Sequence, residues 1–185
     1  MRKCKHPRLL CLLITLGGVL LDQLTKWIVD ARMELHESIP IIKDALHITY
    51  IRNRGAAFGM LADSRWVFIV ISLITIAVIV CYVFFIKTND LLTIISLSMI
   101  LSGGIGNMID RLALGYVIDF IDFCLIDFAI FNGADSFVCV GAALFFLAML
   151  LETRRARALE KARAAEAAGA TDPIADRGGE DPHDP

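Results

Sequence analysis

The residues with the clearest chemical potential are aspartates clustered beside apolar sequence. Five of them lie between Ser102 and Ser136, in the stretch that separates two strongly apolar runs: Asp110, Asp119, Asp122, Asp127 and Asp135. The only basic residue of this stretch is Arg111. An acid near hydrocarbon is costly, so acids held beside membrane-length segments indicate a function. We predict that Asp119 and Asp135 form a catalytic pair.

Acids in this setting are compatible with three kinds of chemistry. Two carboxylates held close together can share one proton, so that one activates water while the other protonates a developing oxyanion or leaving amine. Several carboxylates can instead hold Mg²⁺ or Ca²⁺. Acids in a membrane can also relay protons or ions through a transporter. Spacing alone does not choose among the three. Asp119 follows the third apolar run and Asp135 precedes the fourth, so antiparallel helices would bring them together, which favours a localised pair.

The remaining acids and histidines of this region are interpreted as structural. Asp122 and Asp127 alternate with aromatic and aliphatic residues, which is typical of a solvated face at a membrane surface. Asp110 and Arg111 are adjacent and are predicted to form an ion pair or a clamp at a helix end. The isolated histidines of the preceding loop, His36 and His47, are expected to be structural or exposed.

The cysteines predict neither a disulfide framework nor a CxxC metal site, because they are scattered, odd in number and mostly within or beside apolar runs. We interpret them as small hydrophobic packing residues. They are Cys4, Cys11, Cys81, Cys124 and Cys139.

Composition sets the class of protein that must position these residues. Of the 185 residues, 57% are hydrophobic, which is too apolar for an ordinary soluble domain and indicates a membrane protein. The net charge of −2 provides no global basic field, so no nucleic-acid partner is expected.

The apolar runs predict an all-α membrane protein with four transmembrane helices, at about 9–29, 66–86, 91–109 and 134–153. The first run resembles a signal peptide, but no small-x-small cleavage site follows it, so we predict a retained span. Within that span Asp22 and Lys26 are i,i+4 neighbours on one face. The predicted organisation is a basic N-terminus (1–8), a four-span domain (9–155) and a tail (156–185) that is helical and then disordered.

Four spans place both termini on the same side of the membrane. The N-terminus and the segment that follows the fourth span are both basic, the latter through Arg154, Arg155, Arg157, Lys161 and Arg163. The positive-inside rule therefore predicts that both termini are cytoplasmic and that the loops 30–65 and 110–133 face outward. Within the first of these loops, residues 45–51 alternate as in a strand. We therefore expect a small β-rich extracytoplasmic subdomain at the membrane surface.

Four blocks of sequence, in order, resemble lipoprotein signal peptidase, the type II signal peptidase family of bacteria. They are Asp22-Gln23-Leu24-Thr25-Lys26; Asn53-Arg54-Gly55-Ala56-Ala57-Phe58-Gly59; Gly106-Asn107-Met108-Ile109-Asp110-Arg111 followed by Gly115-Tyr116-Val117-Ile118-Asp119-Phe120; and Phe131-Asn132-Gly133-Ala134-Asp135-Ser136. The resemblance covers Leu9 to about Leu151.

The resemblance implies an aspartic endopeptidase of the bacterial inner membrane. It would cut prolipoproteins immediately before a diacylglyceryl-modified cysteine, in contact with membrane lipid, and would be inhibited by globomycin. No metal or organic cofactor is implied, and we expect an active monomer. The family's catalytic dyad falls on Asp119 and Asp135, and its supporting polar residues fall on Asp22, Lys26, Asn53, Gly55, Asn107, Asp110, Arg111, Asn132 and Ala134.

Hypothetical roles follow for some of these residues. Asn53, Asn107 and Asn132 could supply amide groups to an extended substrate backbone, and Arg111 could pair with Asp110 to order the loop that carries Asp119. The alternative function is an ion- or proton-coupled transporter that uses the same acids, and a metal-dependent hydrolase is a weaker one.

Overall fold

A computed structural model of the chain describes residues 3–55, 65–85, 89–126 and 128–169. Within this part the helices are α1 (Pro7–Arg32), α2 (Arg65–Phe85), α3 (Leu91–Ala113) and α4 (Gly133–Gly169), and the strands are β1 (Ser38–Ile42), β2 (Leu46–Asn53) and β3 (Val117–Asp122). A 3-10 turn follows at Cys124–Ile126. All four helices are long and apolar enough to cross a membrane. The predicted architecture of four spans with a small β-rich part is confirmed.

Several predictions concern residues outside the described part. They are the Ala56–Gly59 part of the second resemblance block, the acid Asp127, and the tail beyond Gly169.

Helices α1 and α3 pack against each other through polar and small residues. The buried face of α1 carries Thr15, Gly18, Asp22 and Lys26 at helical spacing, while leucines such as Leu20 are exposed. This distribution is the reverse of a soluble helix. It is typical of a membrane bundle, in which small residues allow close packing and apolar side chains face lipid.

Helix α3 is the central helix of this packing because two of its glycines admit neighbouring groups. A Cβ at Gly106 would collide with the Asp22 carboxylate, and a Cβ at Gly103 would collide with the carbonyl oxygen of Ala134. A glycine at each position therefore lets α1 and the start of α4 approach the α3 backbone. Close approach of this kind brings buried polar groups from three helices within hydrogen-bonding distance.

The three strands form an antiparallel sheet in the order β1-β2-β3. Tyr50, Ile118 and Phe120 of the sheet cluster with Val29 near the end of α1. This small core fixes the sheet to the end of the first helix. The predicted strand at residues 45–51 corresponds to β2.

Local signals fix both ends of α3, the helix that leads into β3. Asp90 caps α3, because its side chain accepts hydrogen bonds from the backbone and hydroxyl of Thr93. At the other end of α3, Gly115 has a φ of +83°, a left-handed conformation that glycine adopts without a Cβ penalty. The resulting turn leads directly into β3.

The chain divides into two compact units, residues Met1–Phe146 and Leu147–Pro185. The first contains the sheet, α1 to α3 and the beginning of α4. In the second unit the described chain is the continuation of α4 to Gly169, which is rich in alanine and charged residues.

Candidate active site

The two predicted catalytic aspartates are held on different elements and face one cavity. Asp119 lies on β3 opposite Ile51 of β2 and is only 1% exposed. Asp135 lies in the first turn of α4. Both line a cavity of about 500 Å³. The structure therefore brings together two acids that lie on different secondary-structure elements.

Asn132 connects the two aspartates. Its side-chain nitrogen donates to Oδ1 of Asp119 at 2.6 Å, and its backbone N–H donates to Oδ2 of Asp135 at 3.2 Å. Asn132 itself is fully buried. One residue thus fixes both carboxylates relative to each other.

The same residue also starts helix α4. Oδ1 of Asn132 accepts a hydrogen bond from the backbone N–H of Asp135 at 3.0 Å, while Asp135 accepts from the Asn132 N–H. This reciprocal arrangement is a capping box, which satisfies two backbone donors at a helix N-terminus. The backbone of the helix start therefore determines where the Asp135 carboxylate points.

Two more asparagines complete the amide donors around the pair. The side-chain nitrogen of Asn53 donates to Oδ2 of Asp119 at 2.8 Å, and that of Asn107 donates to Oδ1 of Asp135 at 2.7 Å. Each of the four carboxylate oxygens consequently accepts one hydrogen bond. In the structure the amide nitrogens of all three asparagines donate to the aspartates, and their predicted contact with a substrate backbone stays a prediction.

Burial changes the acidity of Asp119. Removal of the carboxylate from water raises the pKa of Asp119, and the nearby charge of Asp135 also raises it. The hydrogen bonds from Asn53 and Asn132 lower it, and the net result is a pKa of about 7. A carboxyl group with this pKa can both hold and release a proton near neutral pH, as general acid–base chemistry requires.

Next to the pair lies an ion cluster formed by Asp22, Lys26 and Asp110. The Lys26 ammonium lies 2.9 Å from Oδ2 of Asp22 and 2.9 Å from Oδ2 of Asp110, and all three side chains are almost fully buried. The predicted i,i+4 relation of Asp22 and Lys26 is confirmed. Lys26 also donates to Oδ1 of Asn107 at 2.9 Å, which connects the cluster to the aspartate pair.

The ion cluster also fixes backbone around the site. Asp22 accepts from the backbone N–H of Ala134 at 2.9 Å, and Asp110 accepts from that of Ile118 at 3.3 Å. Ala134 immediately precedes Asp135, and Ile118 immediately precedes Asp119. The cluster therefore positions the backbone next to each member of the pair.

The predicted ion pair between Asp110 and Arg111 does not form. Among the described residues, the basic partner of Asp110 is Lys26. Consecutive helix residues do not face each other, which explains the separation. Arg111 lies over the ring of Phe68 at 4.8 Å from its centroid and donates to the carbonyl oxygens of Asn107 and Gly55, both at 3.4 Å. It lines the same cavity as the aspartates.

Gln23 is a supporting residue that sequence reasoning passed over, although it lies inside one of the four resemblance blocks. Its side-chain nitrogen donates to Asp110 Oδ1 at 2.9 Å, to the Gly106 carbonyl oxygen at 3.2 Å and to Asp22 Oδ2 at 3.3 Å. Adjacency to Asp22 was the available signal. The other two acceptors, Gly106 and Asp110, lie 83 and 87 residues further along the chain, so no local pattern could reveal them.

The cavity wall is mostly apolar. Beside the aspartates, asparagines and Arg111, its lining includes Phe68, Val117, Phe128, Ala129, Ile130 and Phe131. The other acid of β3, Asp122, does not belong to this lining; it accepts a hydrogen bond from Thr49 at 2.7 Å. An apolar wall around two carboxylates suits a ligand with an aliphatic part.

Comparisons with known proteins agree on one family. Residues 14–151 match the family model described as signal peptidase (SPase) II. The lipoprotein signal peptidase of Bacillus velezensis is 46% identical over 143 residues, which cover 76% of this chain and 94% of that protein. That of Halothermothrix orenii is 44% identical over 135 residues, covering 73% and 91%. A bacterial membrane enzyme solved by the in meso method at 2.3 Å resolution superposes with a TM-score of 0.75 and 34% identity, covering 82% of this chain and 93% of that one.

Proposed function

Because the chain belongs to the signal peptidase II family of membrane aspartic peptidases, we propose that it removes signal peptides from diacylglyceryl-modified prolipoproteins. Cleavage occurs immediately before the lipidated cysteine. Asp119 and Asp135 form the catalytic dyad. The observation that carries this proposal is the shared Asn132, which bonds both carboxylates beside one apolar cavity.

The two aspartates take different parts in the reaction. Asp119 is the more suitable proton donor, because burial raises its pKa to about 7 and keeps much of it protonated at neutral pH. Asp135 then acts as the base that accepts a proton from water. Its carboxylate is oriented by Asn107 and by the backbone of Asn132, so the base does not have to reorganise during the reaction.

The proposed steps balance without a further group. Water attacks the scissile carbonyl carbon as its proton passes to Asp135, and the Asp119 proton passes to the carbonyl oxygen, giving a tetrahedral diol. Collapse of the diol returns a hydroxyl proton to Asp119 and breaks the C–N bond as Asp135 protonates the leaving nitrogen. The products are a new carboxyl terminus and the free amine of the lipidated cysteine.

The surroundings of the pair fit a lipid-modified substrate. The apolar part of the cavity wall would contact the segment around the cysteine, and the diacylglyceryl chains would lie against the lipid-facing helices. Arg111 lies at this wall, where its guanidinium would donate to a substrate carbonyl. Gly55 and Ala134, which also belong to the supporting set, act through their backbone groups. The Gly55 carbonyl oxygen accepts from Arg111, and the Ala134 N–H donates to Asp22.

The proposed setting is the bacterial inner membrane, with both termini cytoplasmic and the site near the extracytoplasmic face. The four-span domain of residues 9–155 would be active as a monomer, and the tail beyond it would be cytoplasmic. The basic residues of the N-terminus and those directly after the fourth span support this orientation through the positive-inside rule.

The test uses the purified chain in detergent and a prolipoprotein that carries the diacylglyceryl cysteine, with the unmodified precursor as control. We expect cleavage of the modified precursor alone, one product beginning at the lipidated cysteine by mass spectrometry, no effect of a chelator, and inhibition by globomycin. Absence of any cleavage of the modified precursor would contradict the proposal. Ion flux into liposomes that requires the two aspartates, without cleavage of the precursor, would instead support the transporter alternative, which family membership does not favour.

A further inference from the structure

A second group of reactive side chains lies on the sheet and the 3-10 turn that follows it, outside the cavity lining. His47, Asp122 and Cys124 each offer one ligand atom, and these atoms all lie within 4.8 Å of one another. The three residues are half-buried. They supply a nitrogen, an oxygen and a sulfur donor, a combination that the proposed peptidase mechanism does not use.

The sheet register brings the three residues together. His47 on β2 is the cross-strand partner of Asp122 on β3, and directly opposed residues project from the same face of an antiparallel pair. Cys124 follows two residues later, at the start of the 3-10 turn. The backbone N–H of Leu125 in that turn is 3.5 Å from the Ala45 carbonyl oxygen, which keeps the turn beside the start of β2.

Hydroxyl groups form hydrogen bonds with two of the three side chains, His47 and Asp122. Ser38 Oγ is 3.2 Å from Nδ1 of His47 and 2.8 Å from Thr49 Oγ1. Thr49 in turn donates to Oδ2 of Asp122 at 2.7 Å. A continuous chain of hydrogen bonds therefore joins the imidazole to the carboxylate. Partners of this kind orient the ligands of metal sites and set the imidazole tautomer.

We propose that His47, Asp122 and Cys124 bind a Zn²⁺-class divalent metal ion, with the fourth position open to water. Imidazole, carboxylate and thiolate are the ligands that Zn²⁺ takes in proteins, whereas Mg²⁺ and Ca²⁺ select oxygen ligands alone. Ligands at about 2.0–2.3 Å from a tetrahedral ion lie about 3.3–3.8 Å apart. The ligand atoms lie up to 4.8 Å apart, so side-chain movements of about 1 Å would bring them to coordinating distance of one ion.

The position of the site connects it to the wall of the active-site cavity. Phe123, between Asp122 and Cys124, stacks on Phe131 with ring centroids 5.8 Å apart, and Phe128 meets the same ring edge-on at 5.8 Å. Both Phe128 and Phe131 line the cavity. A metal that joins β2 to the 3-10 turn therefore restrains the segment that forms this wall.

The test is metal binding by the purified full-length chain in detergent, first stripped with chelator. Titration with Co²⁺ should give a thiolate-to-metal absorption band and the strong visible bands of tetrahedral Co²⁺, with one equivalent bound and displaced by Zn²⁺. Zn²⁺ should raise the Tm of the chain, because the ion binds the folded state. Cys124→Ser, His47→Gln and Asp122→Asn should each remove the spectrum and at least most of the Tm increase.

Matched controls separate this site from other thiols and imidazoles. Cys81→Ser changes an exposed cysteine of α2, and His36→Asn changes an exposed histidine whose positive φ asparagine tolerates; both should bind metal as the wild-type chain does. The proposal is overturned if the wild-type chain gives no tetrahedral thiolate spectrum, or if any one of the three ligand variants retains it. Peptidase activity is not the readout, and it should persist in chelator, so failure here is distinct from failure of the proposed function.

Discussion

Two groups of carboxylates lie side by side in this protein and have opposite surroundings; all are buried except Asp135, which is half-buried. In the ion cluster, Asp22 and Asp110 both contact the Lys26 ammonium at 2.9 Å. In the aspartate pair, Asp119 and Asp135 receive hydrogen bonds from neutral amide groups, and both face a cavity. Asn107 touches both groups, through Lys26 on one side and Asp135 on the other.

The difference shows that burial of an acid does not by itself indicate catalysis. A cation in contact with both acids of the ion cluster stabilises their charged forms, which suits a cluster that positions backbone. Burial raises the pKa of Asp119, and the amide donors that orient its carboxylate offset this rise only in part. Proton exchange with a substrate is therefore expected at the aspartate pair and not at the ion cluster.

The largest expected effect on stability comes from removal of the cation. Lys26→Met leaves two buried carboxylates unpaired and should lower the free energy of unfolding by about 3–5 kcal/mol. Thermal unfolding in detergent measures it, with Lys43→Met at an exposed position of the sheet region as control. An unfolding curve for Lys26→Met that matches the control would show that the ion cluster is not structural.

The pH dependence of stability should separate the two groups. Because the pKa of Asp119 rises from 3.8 to about 7 on folding, its stabilising contribution is fully present below about pH 4 and is lost as pH rises to about 7. One pKa unit corresponds to about 1.4 kcal/mol, so the loss is at most about 4 kcal/mol. Unfolding of the wild-type chain and of Asp119→Asn, followed from pH 4 to 8, should show a decline in the wild type that the variant lacks. If stability changes with pH in the same way in the wild type and the variant, the pKa of Asp119 is not raised on folding.

Truncation of the residue shared by both aspartates should affect catalysis more than folding. Asn132→Ala removes a donor to Asp119 and the cap of α4, which should cost about 1–3 kcal/mol of stability. It should also lower kcat by about 100-fold, because a small misplacement of a catalytic group costs about this much, with little change in KM. Asn89→Ala at an exposed site serves as control. An unchanged kcat in folded Asn132→Ala would mean that the pair needs no such orientation.

The smallest effect is expected at an ion pair outside the core. Asp30 and Arg52 approach to 3.4 Å, but both side chains are 43% exposed. Asp30→Asn keeps an acceptor for the Tyr50 hydroxyl and should change the free energy of unfolding by about 1 kcal/mol or less. A loss as large as that of Lys26→Met would show that burial is not what distinguishes the ion cluster.

Much of the fold was predictable because its signals are local. Apolar runs of membrane length predicted the four spans, and the alternation in residues 45–51 predicted a strand. The contact of Asp22 with Lys26 follows from helical spacing alone. The acids of the pair were also recognisable as candidates, since a carboxylate beside a membrane-length segment is unusual.

The internal connections of the site were not predictable, because they join residues far apart in the chain. Asp110 selects Lys26, in another helix, over its neighbour Arg111. Asn53, Asn107 and Asn132 bind the aspartates, although an asparagine in a sequence gives no sign of its partner. Such choices depend on which side chains the packing of α1, α3 and β3 brings within about 3 Å, and no single sequence window contains that information.

The most direct measurement compares cleavage of a diacylglyceryl-modified precursor by the wild-type chain, Asp119→Asn and Asp135→Asn. Asparagine has a similar size but cannot hold or accept the transferred proton, so both variants should lose at least about three orders of magnitude in kcat. Thermal unfolding confirms that each variant is folded. Near-normal cleavage by either folded variant would contradict the assignment of Asp119 and Asp135 as the catalytic dyad.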